Sequence, residues 1–183
     1  MRSKLTMPVA ALLLLSSAAQ ADINNCVILL SPLEHDHGNL ARDRQTFINT
    51  SQGQIAQLSE SRSNLSVTCP DKERMQLRFT GDSHTDGRFR FGEKGTLRIT
   101  ISNAVLDGNP VPLTRITPQG DSIATQHNLS AADEIAIGNS SSVQGYSLNL
   151  TLAVTPYLAK AAFRVPDTQQ QEEIIHIELL NTQ

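Results

Sequence analysis

The stretch Tyr146-Ser147-Leu148-Asn149-Leu150-Thr151-Leu152-Ala153-Val154 alternates polar and apolar side chains over nine positions. In a pleated strand this period of two puts Leu148, Leu150, Leu152 and Val154 on one face and Ser147, Asn149 and Thr151 on the other. A helix would spread the same leucines around its circumference, so the segment reads as a strand with one buried and one solvated face. The pattern recurs upstream. Leu65-Ser66-Val67-Thr68-Cys69 and Met75-Gln76-Leu77-Arg78-Phe79 alternate in the same way, with Pro70-Asp71 as the expected turn between them. Phe89-Arg90-Phe91 and Leu97-Arg98-Ile99-Thr100-Ile101 continue the series across Gly92 and Gly95. Ala104-Val105-Leu106 runs into Asp107-Gly108, a dipeptide suited to a tight hairpin turn. Val27 to Leu30 reads as an apolar first strand, and Ile175-His176-Ile177-Glu178-Leu179 as the last.

Amphipathic helices are scarce. Leu129 to Ile137 fits either a short helical turn or a loop followed by a strand, and the polar stretch Gly38 to Ser63 reads as a long surface loop. Short strands at intervals of roughly 8 to 15 residues, without repeats or low-complexity linkers, predict an all-β sandwich. Residues 22–183 are expected to form it as one domain.

Residues 1–21 read as a secretory signal peptide. Arg2 and Lys4 form the positive start, Val9 to Leu15 the apolar segment, and Ala19-Gln20-Ala21 the small-x-small cleavage site. The apolar segment falls well short of the roughly 20 residues that span a bilayer. Export to an oxidising compartment, followed by only two cysteines, Cys26 and Cys69, reads as one structural disulfide. The 15 basic and 18 acidic residues are scattered along the chain, which argues against a nucleic-acid or anionic-membrane partner.

Candidate chemistry is sparse. Glu34-His35-Asp36-His37 places two histidines on one side of an extended chain, but no third ligand follows at a metal-site interval, and a polar turn is the better reading. No Gly-x-Ser-x-Gly elbow, phosphate loop or dinucleotide fingerprint is present, and Ser141 sits in a polar Ser-rich segment. Glu172-Glu173 and Asp133-Glu134 are adjacent carboxylates, which in a strand face opposite ways. Neither an enzyme nor a cofactor is expected.

The order of these elements resembles the chaperone–usher fimbrial (pilin-like) subunit family. The resemblance lies in an export signal, Cys26 on a first strand, the turn Asp36-His37-Gly38-Asn39-Leu40, and Cys69 closing Leu65 to Cys69. Ala104 to Gly108, the strand Leu148 to Val154 running into Thr155-Pro156-Tyr157-Leu158, and an alternating terminal strand complete it. The resemblance implies an incomplete, immunoglobulin-like sandwich whose apolar groove accepts a strand from elsewhere. A periplasmic pilus chaperone would fill the groove first, and a neighbouring fimbrial subunit would replace it at an outer-membrane usher. Ile175, Ile177 and Leu179 would face into the groove from one rim, and the first strand around Val27 and Leu29 would form the other. An unfilled groove is an exposed apolar edge that needs protection.

The chain departs from the family pattern in two ways. If cleavage follows Ala21, only Asp22-Ile23-Asn24-Asn25 precede Cys26, too few for a donor strand. The C-terminal tyrosine and glycine pattern is also missing. The expectation is therefore a minor or tip-type subunit that accepts a strand but does not donate one, passing through the periplasm to a fimbrium at the cell surface. The alternative is a single-domain fimbrial adhesin or invasin that binds a host receptor, glycan or protein, through surface loops.

Overall fold

The computed structural model describes residues 26–37, 40, 45–51, 53–139, 143–163 and 173–180. The leader, Asp22 to Asn25, the Gly38-Asn39 part of the expected turn, Ser141 and Glu172 lie outside the described residues. In chain order the strands are β1 (Val27–Ser31), β2 (Phe47–Thr50), β3 (Gly53–Gln57), β4 (Ser61–Glu73) and β5 (Gln76–Thr80). They continue with β6 (Phe89–Phe91), β7 (Gly95–Leu106), β8 (Asn109–Pro110), β9 (Leu113–Ile116) and β10 (Ser122–Ala124). β11 (Gln126–Leu129), β12 (Glu134–Ile137), β13 (Gly145–Ala159) and β14 (His176–Leu180) follow, with a 3-10 turn at Lys160–Phe163 after β13.

The strands build an all-β sandwich of two antiparallel sheets. The larger runs β1-β4-β13-β7, with β6, β11 and β8 along the far edge of β7. The hairpin β2–β3 joins the end of β13, where Ala56 pairs with Leu158. The smaller sheet has the order β10-β9-β12-β5-β14. The 15-residue β13 is the axis of the larger sheet, pairing with β4 from Ser61 to Glu73 and with β7 from Gly95 to Leu106.

Alternation becomes burial as the pattern requires. Leu148, Leu150 and Leu152 face inward from β13, Leu65 and Val67 from β4, and Leu97, Ile99 and Ile101 from β7. Leu77 and Phe79 from β5 and Ile135 and Ile137 from β12 meet them from the smaller sheet. Phe79 and Phe89 are wholly buried. The Asp107-Gly108 turn joins β7 to β8 as its sequence suggests: both residues have positive φ, 49° and 81°, and Leu106 pairs with Asn109.

Two local expectations are corrected and one open alternative is resolved. Pro70-Asp71 is no turn. β4 runs through both residues to Glu73, because Glu73 pairs with Gly145 at the start of β13, and the chain reverses at Arg74-Met75. The stretch Gly38 to Ser63 is more than a loop, since it holds the β2–β3 hairpin and the start of β4. Leu129 to Ile137 resolves as loop plus strand: Asp133 accepts a hydrogen bond from the Ser130 amide (2.9 Å), and β12 begins at Glu134.

Candidate functional site

The two sides of the sandwich differ. On one side, a seam of polar bonds ties the sheets together. His127 on β11 is buried and its Nε2 lies 3.0 Å from the Leu113 carbonyl on β9; a carbonyl only accepts, so this nitrogen carries the proton. In the reverse direction Arg115 on β9 donates from its guanidinium to the Asn128 carbonyl on β11. Arg115 Nε lies 3.2 Å from Asp133 Oδ2, a charge contact rather than an aligned hydrogen bond. Register pairs Arg115 with the buried Ile135, so this arginine points inward, which its polar residue type gives no reason to expect.

On the other side lie β1, at the end of the larger sheet, and β14, at the end of the smaller one. Among the described residues β1 pairs only with β4, and β14 only with β5. Among the described residues, therefore, each has one backbone edge that no strand pairs. Ile175, Ile177 and Leu179 face the core and are only partly buried. On β1 the expected phase is corrected: Ile28 and Leu30 pack against the core, while Val27 (55% exposed) and Leu29 (62% exposed) point away from it. The reason is the disulfide. Cys26 bonds to Cys69, which faces inward beside Val67 and Leu65 on β4, so every second residue after Cys26 also faces inward.

The entrance to β14 is held by residues that alternation does not mark. A Cβ at Gly81 would come within 2.9 Å of Ile175 Cδ1 and 3.1 Å of Phe89 Cδ1, so this glycine lets Ile175 settle on the core. The Glu173 carboxylate accepts the Asp82 amide hydrogen at 2.8 Å, and burial pushes this carboxyl above its ordinary range. On the outer face of the smaller sheet, Arg78 pairs with Glu134 at 2.5 Å and lies 3.9 Å from Glu178. The hydrogen bond to Glu134 raises the Arg78 guanidinium further.

On the outer face of the larger sheet the charges lie at the margins, with Arg62 beside Ala153 and Arg98 beside Thr155, and polar uncharged side chains fill the middle. Ser31, Asn64, Thr151, Ser102 and Gln126 stand abreast across five strands. The next row holds Leu29, Ser66, Asn149 and Val105, and the one after it Val27, Thr68 and Ser147. None of these side chains is charged.

The other candidate chemistry resolves into structural bonding. The Ser63 hydroxyl donates to the Pro32 carbonyl at 2.7 Å, so it must accept from His35 Nε2, also at 2.7 Å. Burial and the neighbouring His35 lower the His37 pKa. Among the described residues no three His, Cys, Asp or Glu side chains gather to hold a metal ion. Asp133 and Glu134 diverge to Arg115 and Arg78, respectively. In the Asp82 to Arg88 loop, hydrogen bonding to Arg88 holds the Asp86 carboxyl down at about 2.

Searches against known proteins find no family model that matches the chain and no curated relative. The disulfide fits an oxidising location outside the cytosol. No helix among the described residues is long and apolar enough to cross a membrane.

Proposed function

We propose that this chain is a structural subunit of a surface fimbria assembled by chaperone–usher donor-strand exchange, and that its immunoglobulin-like sandwich is completed by a strand from another chain. The observation that supports this best is the pair of free edges. β1 and β14 end different sheets on the side away from the His127–Arg115 seam, and the apolar side chains beside them are incompletely covered. A strand inserted there would gain main-chain hydrogen bonds from an open edge and bury its alternate side chains against Ile28, Leu30, Ile175, Ile177 and Leu179. Val27 and Leu29 stay outside that contact.

In transit the inserted strand belongs to a periplasmic pilus chaperone, and in the fibre to a neighbouring subunit delivered at an outer-membrane usher. The position at a tip, or as a minor component, rests on the leader: cleavage after Ala21 leaves four residues before Cys26, too short to serve as a donor.

Co-expression with a pilus-assembly chaperone, read by amide hydrogen exchange, tests the proposal. The expected result is a stoichiometric complex in which amides of β1 and β14 become protected. A chain that melts reversibly as a stable monomer, with unchanged exchange at both edges when the chaperone is present, overturns it. Mass spectrometry of the mature N-terminus tests the tip placement separately, and a donor-length segment before Cys26 removes it.

A further inference from the structure

We propose that the edge of β1 left unpaired among the described residues joins a second copy of this chain, the two β1 strands lying antiparallel about a two-fold axis through Leu29. The proposal goes beyond the fimbrial reading and does not rest on it, since β14 keeps its own open edge for an incoming strand.

A strand that completes the core leaves part of β1 bare. Ile28 and Leu30 face the core and would be covered, but Val27 and Leu29 point away from it and are each more than half exposed. Natural edge strands are guarded by charges, prolines or bulges. Val27–Ser31 has none of these: no residue in it is ionisable or a proline, and it pairs with β4 in unbroken register from Val27–Thr68 to Ser31–Asn64.

Charge selects the occupant. An antiparallel strand that overlaps its own copy in full sets its central residue opposite itself. In β14 (His176–Leu180) that residue is Glu178, so two copies would bring two carboxylates face to face, which opposes pairing. In β1 it is Leu29. The same overlap sets Ile28 against Leu30 and Val27 against Ser31, with no charge anywhere along the join.

Side chains directly opposite stand about 4.5–5.5 Å apart. The exposed Leu29 is thereby covered by its twin on the outer face, and Ile28 and Leu30 of the two copies meet on the inner face. The larger sheet then continues from β13 and β4 of one copy through both β1 strands into β4 and β13 of the other. One strand pair buries less than the roughly 1,200 Å² of a standard stable interface, so the association is weak, with a dissociation constant of about 10–100 µM.

Sedimentation velocity with light scattering tests this by counting copies of the full exported chain per particle, in whatever complex it is recovered, from about 1 µM to on the order of 300 µM. Two copies are expected at the top of that range and one at the bottom. Leu29→Lys and Leu29→Glu each place like charges on the axis and should weaken pairing at least about tenfold. An equimolar mixture of the two variants sets opposite charges together and should pair at least as tightly as the parent. Leu29 points to solvent, so both variants should melt with the parent; if either does not, Val27→Glu mixed with Ser31→Lys repeats the test at positions paired across the axis. One copy at every concentration overturns the proposal, as does a parent dimer that Leu29→Lys leaves intact or a mixture of opposite charges that stays monomeric. Dimerisation of a chain that no chaperone captures sinks the fimbrial reading alone.

Discussion

Replacing Asp107 separates two jobs that one side chain performs at the β7–β8 turn. Its backbone adopts φ 49°, and one carboxylate oxygen accepts the amide hydrogens of Tyr146 (2.9 Å) and Ser147 (2.8 Å). A third bond runs from the Asp107 amide to the Ser147 carbonyl at 2.8 Å. The turn therefore fixes the start of β13 at the point where its register with β4 shifts. The carboxylate is exposed, so each of its bonds is worth about 1 kcal/mol, below the usual range for a buried charged acceptor because solvent screens it. The left-handed backbone costs an ordinary L-residue roughly 1–2 kcal/mol, less for Asp or Asn and nothing for Gly.

Asp107→Asn keeps an oxygen acceptor and tolerates the backbone, so it should cost about 0.5–1 kcal/mol. Asp107→Gly loses both bonds while freeing the backbone, for a cost of about 2 kcal/mol. Asp107→Ala loses the bonds and is strained, for about 2–3 kcal/mol, or a fall in melting temperature of about 5–10 °C in a domain of this size. Thermal unfolding ranks the variants, and amide exchange at Tyr146 and Ser147 should speed up in Gly and Ala but little in Asn. An Asn variant that falls as far as Ala, or an Ala variant within about 1 °C of the parent, would refute the reasoning.

Other outcomes follow from the same geometry. Replacing both Cys26 and Cys69 by Ser opens a loop with a separation of 43 residues. It should lower stability by about 4 kcal/mol in the chain-entropy account, read as a shift in urea midpoint that reductant reproduces in the parent. Gly95→Ala would drive a Cβ to 2.6 Å from the Phe91 carbonyl oxygen and 2.9 Å from that of Tyr157. Both are backbone atoms with little room to move, so a loss of about 1–3 kcal/mol is expected. Glu173 has a raised folded-state pKa, so its ionisation subtracts stability as pH rises through that value. Glu173→Gln keeps the acceptor for the Asp82 amide, and should be more stable than the parent at pH 7 but not at pH 4, as paired melts will read. Asp86 has the opposite sign: its contribution is complete above the ordinary value of 3.8 and fades as pH falls through about 2. A carboxyl titration by NMR should place its midpoint near the lower figure.

The fold was legible wherever side chains alternate. β13 and β7 declare their faces through leucines and isoleucines spaced two apart, and Asp107-Gly108 declares its turn by residue type. β1 does not, because Val27, Ile28, Leu29 and Leu30 are all apolar and set no phase. The signal that fixes it was present in Cys26: a bond to Cys69, on the same face as Val67 and Leu65, requires Ile28 and Leu30 to face inward. The hairpin β2–β3 was hidden because its apolar residues come as adjacent pairs, Phe47-Ile48 and Ile55-Ala56, that set no alternating phase, and its pairing partner, β13, lies about a hundred residues away. The free edges of β1 and β14 depend on sheet order, which no local pattern encodes. Gly81 and Arg115 gain their roles only from neighbours distant in sequence, Ile175 for the first and Asn128 and Asp133 for the second.

The seam made by His127 and Arg115 has a mechanical consequence. Its two bonds run in opposite directions between β9 and β11, so sliding one sheet along the other stretches both. The seam therefore fixes the register of the two sheets at one side, while at the other side, where β1 and β14 lie, only apolar packing and the main chain hold them among the described residues. Whatever completes that side is therefore positioned by side-chain shape rather than by polar bonds between the sheets.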